Sequence, residues 1–141
     1  TELETKAESL ELEDRVHLAD HTSNMPAAYA TADIVLSAST DPEAFGRVAA
    51  EAQAMEKLVV ATNHGGATET VQNGKTGYLV EPGNAEALAN GIASVLAIPS
   101  KERKAMGKLA RHRIGQEFSA KALKSATLKL YEEVIAAHSG E

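Results

Sequence analysis

Four short apolar runs punctuate the first half of the chain: Val16-His17-Leu18, Ile34-Val35-Leu36, Leu58-Val59-Val60 and Tyr78-Leu79-Val80. The second and third are continuous rather than alternating, the pattern of strands buried on both faces. Helical segments fill the intervals. Met25 to Ala32 is one, with Pro26 in its first turn. Gly46 to Met55 is a second and Ala67 to Gln72 a third, while Asn73 to Gly77 (NGKTG) reads as a turn. Strand, helix and strand at this spacing predict right-handed βαβ units on a parallel sheet of four strands.

Beyond the fourth run the pattern is helical. Asn84 is a candidate N-cap for a helix through Leu96, with Leu88, Ile92 and Leu96 on one stripe. Pro99-Ser100 interrupts it, and Ser100 is placed to cap a helix through about Arg113. A last helix spans about Ala120 to Ala137, with Leu123, Leu130 and Val134 near one face. Leu3, Ala7 and Leu10 read as the tail of an amphipathic helix that runs into the strand at Val16, so the chain reads as entering its domain after a first strand. The expectation is one α/β domain over 1–141: a Rossmann-like parallel sheet flanked by helices, with helices over 100–141 packed on it.

Composition narrows the function classes. The chain has 141 residues, 43% of them hydrophobic and 24% charged, as in ordinary globular domains. No apolar run approaches the length of a membrane span, and no secretory leader is read at the N-terminus. The absence of cysteine excludes disulfides, thiolate metal sites and cysteine nucleophiles. A net charge of −6 argues against a general nucleic-acid binder. The segment from Lys101 to Lys124 is nonetheless basic, a candidate for peripheral contact with anionic lipid at the inner face of a membrane. A solvated helix face is its plainer reading.

Ligands of open parallel sheets bind at the carboxyl ends of the strands. The glycines and small polar residues fall at those exits: Ala19 to Ser23, Ser37 to Gly46, and Ala61 to Gly66. Gly46 at a helix start exposes free N–H groups with the positive end of the helix dipole, a site for phosphate. Glu51 lies two turns into the same segment. Helical rise over the eight residues from Glu43 to Glu51 would give roughly 12 Å, about the reach from a sugar across a diphosphate to a ribose. Carboxylates accept from paired sugar hydroxyls. Singly, each residue has a plainer reading: Glu51 as a surface glutamate, Glu43 and Glu69 as acids favouring helix starts, His64 as a loop histidine, and Gly65-Gly66 as a loop.

Taken in order, Glu43-Ala-Phe-Gly46 with Glu51, then VVATNHGGATETV, then NGKTGYLVEPGNAEALANGI resemble one family over nearly the whole chain. The sequence is similar to the C-terminal, donor-binding half of retaining nucleotide-sugar glycosyltransferases of the GT-B fold. More narrowly, it is similar to the large family that includes bacterial lipopolysaccharide and mannosyl transferases. The resemblance implies a nucleoside-diphosphate sugar as donor, no obligatory metal or other cofactor, and a cytoplasmic enzyme. It implies that Glu43 is the catalytic residue and contacts the donor sugar. It places the N–H groups of Phe45, Gly46 and Arg47 toward sugar and phosphates, and Glu51 on the ribose. Ser37, His64, Gly65 and Gly66 are candidate pocket-loop residues.

The sequence also departs from the family. The Arg and Lys that members carry after the first strand have no match before Thr1, and the N-terminal acceptor-binding domain is missing, so the chain alone is expected to be inactive. Glu56 stands where glycine is usual at the helix end, and Leu58 where proline is usual. Two further readings are a non-catalytic nucleotide-sugar-binding lobe and an epimerase or phosphorylase on the same fold.

Overall fold

One strand organises the sheet. In the computed structural model, which describes residues 1–138, every residue of β2 (Leu58–Thr62) is buried. A run of branched and small side chains with no polar alternation leaves this strand no solvent face, so it lies between two neighbours. β1 (Ile34–Ser37) and β3 (Gly77–Val80) flank it, both parallel, in the order β1-β2-β3. Ile34 stands opposite Leu58, and Val59 opposite Gly77.

Helices cover both faces. α1 (Glu2–Ser9) and α2 (Met25–Thr31) precede β1. α3 (Arg47–Ala54) links β1 to β2, and α4 (Ala67–Thr70) lies between β2 and β3. On this side Tyr29, Val35, Ala49, Ala52, Val59 and Val71 form one buried cluster. On the other, Leu58, Val60 and Val95 pack with Leu88 and Ile92 of α5 (Ala85–Ala97). The α/β class and the parallel sheet flanked by helices agree with the periodicity.

The details differ at five places. The run Val16-His17-Leu18 is not a strand: Val16 and Leu18 are 42% and 48% exposed, and the Val16 N–H closes a turn onto the Leu12 carbonyl. An extended run becomes a strand only against a laddering neighbour, and among the described residues none lies beside it. In α5, Leu96 is 56% exposed while Val95 is fully buried. Seven residues from Leu88 close two turns to within about 20°, whereas eight overshoot by about 80°, so Val95 takes the stripe. α6 (Ser100–Glu117) is capped at Pro99, whose carbonyl accepts from Glu102 and Arg103 at 2.9 and 3.0 Å; Ser100 is already helical and makes no side-chain cap. α6 packs on α3 and β2. α7 (Ala120–His138) buries no side chain, and Leu123, Leu130 and Val134 are all exposed. Only α6 of the two C-terminal helices therefore packs into the core, and residues 139–141 of the expected helical end lie outside the described residues. Finally, α4 stops at Thr70 because Val71 turns extended. No helix among the described residues is long and apolar enough to cross a membrane.

The end of α3 resolves the oddity at Glu56. The Lys57 N–H donates to the Ala52 carbonyl and the Glu56 N–H to the Gln53 carbonyl, each at 3.0 Å. This pair of bonds is a Schellman motif, and it places Glu56 at the left-handed position with φ +60°. A side chain there costs about 1–2 kcal/mol, and the exposed pair with Arg111 at 3.5 Å offsets little of it. Glu56→Gly is expected to stabilise the chain by about 1 kcal/mol net of the greater freedom of unfolded glycine. A rise in urea midpoint at unchanged slope is the readout, and an unchanged or lower midpoint contradicts it.

Candidate functional site

At the carboxyl ends of β1 and β2 lies a narrow cleft of about 10 Å³, lined by Ser37, Ser39, Glu43, Gly46, Thr62, His64 and Ala67. Three sequence segments meet there: the β1 exit, the start of α3 and the β2 exit. The Thr62 hydroxyl donates to the Ser39 carbonyl at 2.9 Å, and His64 Nε2 lies 2.9 Å from the same oxygen. A carbonyl only accepts, so Nε2 donates to it. The other ring nitrogen, Nδ1, is buried without a partner among the described residues. His64 and Thr62 thus hold the loop after β1 in place.

The glycine pair seats the next part of that loop. A Cβ on Gly65 would stand 2.4 Å from the Glu43 carbonyl oxygen, and one on Gly66 would stand 2.3 Å from the Phe45 carbonyl carbon. The Gly66 N–H donates to the Glu43 carbonyl at 2.8 Å. Backbone therefore rests on backbone, as only glycine permits. Gly65 and Gly66 serve this packing, and their contact is with the Glu43–Phe45 segment. The Glu43 side chain is exposed and makes no hydrogen bond or ion pair among the described residues.

Gly46 is the N-cap of α3 in the left-handed conformation, φ +70°. Its carbonyl accepts from Ala49 and Ala50 at 3.1 and 3.2 Å. The N–H groups of Arg47 and Val48 have no acceptor among the described residues, as the first turn of a helix requires. Ala49, Ala50 and Ala52 are buried and bring α3 close against the sheet. α3 begins at Arg47, so Glu43 lies in the loop ahead of it, and helical rise does not measure the span from Glu43 to Glu51.

Glu51 sits one turn into α3 and is gripped on both oxygens. Arg47 donates to Oε1 from Nε and NH2 at 3.2 and 3.1 Å, and the Tyr29 hydroxyl donates to Oε2 at 3.1 Å. Tyr29 is 6% exposed. Its burial and then the Glu51 carboxylate push the phenol pKa upward, keeping it a proton donor. The sequence reading did not single out Tyr29; its one signal is a hydroxyl-tipped aromatic in an alanine-rich helix. Arg113 also went unnoticed, as one charge among many in a basic segment. It turns inward from α6 and donates to the Thr70 and Glu69 carbonyls at 2.7 Å each.

The arrangement suits an anionic ligand with hydroxyl groups. The open start of α3 presents N–H donors and the positive end of its dipole, with one carboxylate before it and one inside it. The cavity of about 300 Å³ between α1 and residues 13–18 does not: Glu4, Glu8 and Glu13 line it, and their charge repels anions.

Comparison with known proteins identifies the family and the fold. Residues 1–113 match the family described as Glycosyl transferases group 1. A crystal structure of a glycosyltransferase from Rickettsia africae ESF-5 superposes with a TM-score of 0.88 at 39% identity, covering 95% of this chain and 36% of that one. HepE from Anabaena, solved in complex with UDP-glucose, superposes with a TM-score of 0.84 at 32% identity over 94% of this chain and 36% of that one. The N-acetyl-alpha-D-glucosaminyl L-malate synthase of Bacillus anthracis is 32% identical over 127 residues, which are 90% of this chain and 33% of that protein. The capsular polysaccharide glycosyltransferase CapM of Staphylococcus aureus is 35% identical over 102 residues. The chain spans 27% and 33% of the lengths of these two curated relatives. The fold is that of the Rossmann-like domain of GT-B glycosyltransferases, and the chain belongs to the glycosyl transferases group 1 family.

Proposed function

We propose that this chain is the donor-binding part of a glycosyltransferase that moves a sugar from a nucleoside diphosphate to an acceptor with retention of anomeric configuration. The observation that carries the reading is the meeting of the exposed Glu43 carboxylate with the open start of α3 behind Gly46 at the carboxyl ends of β1 and β2, with Glu51 one turn further into α3. In this reading Glu43 accepts from hydroxyls of the donor sugar. The N–H groups at Arg47 and Val48, with the α3 dipole, hold the diphosphate and stabilise it as it leaves. Glu51, oriented by Tyr29, takes the ribose hydroxyls. Its partner Arg47 has 82% of its side chain exposed, and such surface pairs are worth at most about 1 kcal/mol. The guanidinium is therefore readily exchanged for a pair of ribose hydroxyls or swung onto a phosphate. HepE in complex with UDP-glucose supports the donor class. A CapM relative named for capsular polysaccharide biosynthesis supports a role in glycan assembly.

The acceptor belongs to an N-terminal domain in this reading, so the 141-residue chain binds donor and transfers no sugar by itself. Calorimetric titration of the chain with UDP-glucose, GDP-mannose and ADP-glucose tests the binding half. One of them is expected to bind with a Kd below about 1 mM. Absence of heat and of chemical-shift change with all three overturns the donor-binding reading.

A further inference from the structure

We propose that Arg113 is the positioning residue of the Glu43–Phe45 segment, holding it from two sides; its importance for ligand binding rests on the reading of that segment as the donor-sugar site. The first side runs through α4. That helix is a single turn, Ala67–Thr70, too short to be stable by itself, so its place is set by whatever grips its ends. At its carboxyl end the Arg113 fork takes the Glu69 and Thr70 carbonyls, both at 2.7 Å. These carbonyls lack intrahelical donors, and a cation there also suits the dipole. The Thr70 carbonyl accepts from Gln53 Nε2 as well, at 3.1 Å, while among the described residues Arg113 alone reaches the Glu69 carbonyl. At the other end of α4 lie Gly65 and Gly66, the surface on which Glu43 and Phe45 rest.

The second side runs through Phe118. The Arg113 guanidinium carbon lies 5.1 Å from the Phe118 ring centroid, within cation–π range. Phe118 in turn packs on Phe45, with centroids 6.0 Å apart and rings tilted by 54°. Glu117 pairs with the same guanidinium at 2.9 Å and leaves the Arg113 side chain only 14% exposed. One planar group therefore meets α4 and the aromatic pair together. Lysine, with a single point charge on a flexible stem, cannot take both carbonyls and face the ring at once.

The test uses the 141-residue chain with Arg113→Met, Arg113→Lys and Phe118→Leu. Amide hydrogen exchange at Gly66 reports the Gly66–Glu43 bond, and exchange at Val59 and Val60 reports opening of the whole fold. In Arg113→Met, the Gly66 amide is expected to exchange at least tenfold faster after correction for any change at Val59 and Val60. The Phe45 ring proton shifts are expected to move toward those of Phe118→Leu. Uniform acceleration at all three amides makes Arg113 a general staple and overturns the proposal. Should Arg113→Met fail to fold, Arg113→Lys carries the same comparison, with selective loss at Gly66 again expected. Each variant is also titrated with UDP-glucose, GDP-mannose and ADP-glucose. At least fivefold weaker binding of whichever sugar nucleotide the unmodified chain accepts supports the proposal, and unchanged binding overturns its ligand-binding part. An unmodified chain that binds none of them overturns the donor-site reading instead, and the exchange data still decide the role of Arg113.

Discussion

Replacing Gly66 with alanine is expected to cost about 3 kcal/mol or more. The added Cβ would stand 2.3 to 2.4 Å from the backbone carbon, Cα and carbonyl oxygen of Phe45. Gly66 itself has φ −63°, so the effect is purely steric, and the atoms met are main chain that no side-chain rotation relieves. Overpacking costs about 1–3 kcal/mol, sometimes more, and separating the segments also breaks the Gly66–Glu43 hydrogen bond, worth about 1 kcal/mol. Gly115→Ala is the internal contrast. Gly115 lies inside α6, and a Cβ there meets nothing within 4 Å. Alanine at that position is expected to stabilise by up to about 1 kcal/mol through helix propensity. Urea unfolding of both variants checks the pair. Opposite signs are expected, and a Gly66→Ala midpoint within error of the parent chain contradicts the backbone-on-backbone contact.

This contact marks the limit of what the sequence makes legible. Ile34-Val35-Leu36 and Leu58-Val59-Val60 announce themselves because burial on both faces demands unbroken apolar runs. Val16-His17-Leu18 carries a similar pattern and is no strand, because pattern reports a tendency to bury and not the partner that pairs. The site divides the same way. Glu43, Gly46 and Glu51 stand out as candidates through residue type around a helix start and through the family resemblance, and the free N–H groups of that start follow from geometry. The groups that aim them are not. Tyr29 reaches Glu51 from 22 residues upstream and Arg113 reaches Thr70 from 43 residues downstream, so no local window links either to the cleft. Gly65-Gly66 is visible as glycine, but the reason for it lies in Glu43 and Phe45, across a crossover.

The proposed reading gives Glu43 and Glu51 different work, and their glutamine variants separate the two kinds. In that reading Glu51, anchored by Tyr29 and Arg47 inside α3, meets the ribose and not the reacting sugar, so it binds ground state and transition state alike. In the complete transferase of the proposed reading, Glu51→Gln is expected to raise the donor KM with little change in kcat. The Glu43 side chain has no partner among the described residues, and its backbone is pinned by the Gly66 N–H at 2.8 Å. In the proposed reading, a carboxylate held there meets the donor sugar as the bond to the diphosphate breaks and positive charge grows on the ring. Its attraction rises toward the transition state, the condition for acting on kcat. Glutamine keeps the size, loses the charge and adds two donors. In the complete transferase of the proposed reading, Glu43→Gln is expected to lower kcat by about 10²–10³, the range for removing one preorganised electrostatic group, with donor KM changed far less. Initial rates against donor concentration, read together with the Gly66 amide exchange of the same variant, are the measurement. Near-parental turnover with an intact loop would remove Glu43 from the reaction, whereas lost turnover with an intact loop places its charge at the reacting sugar.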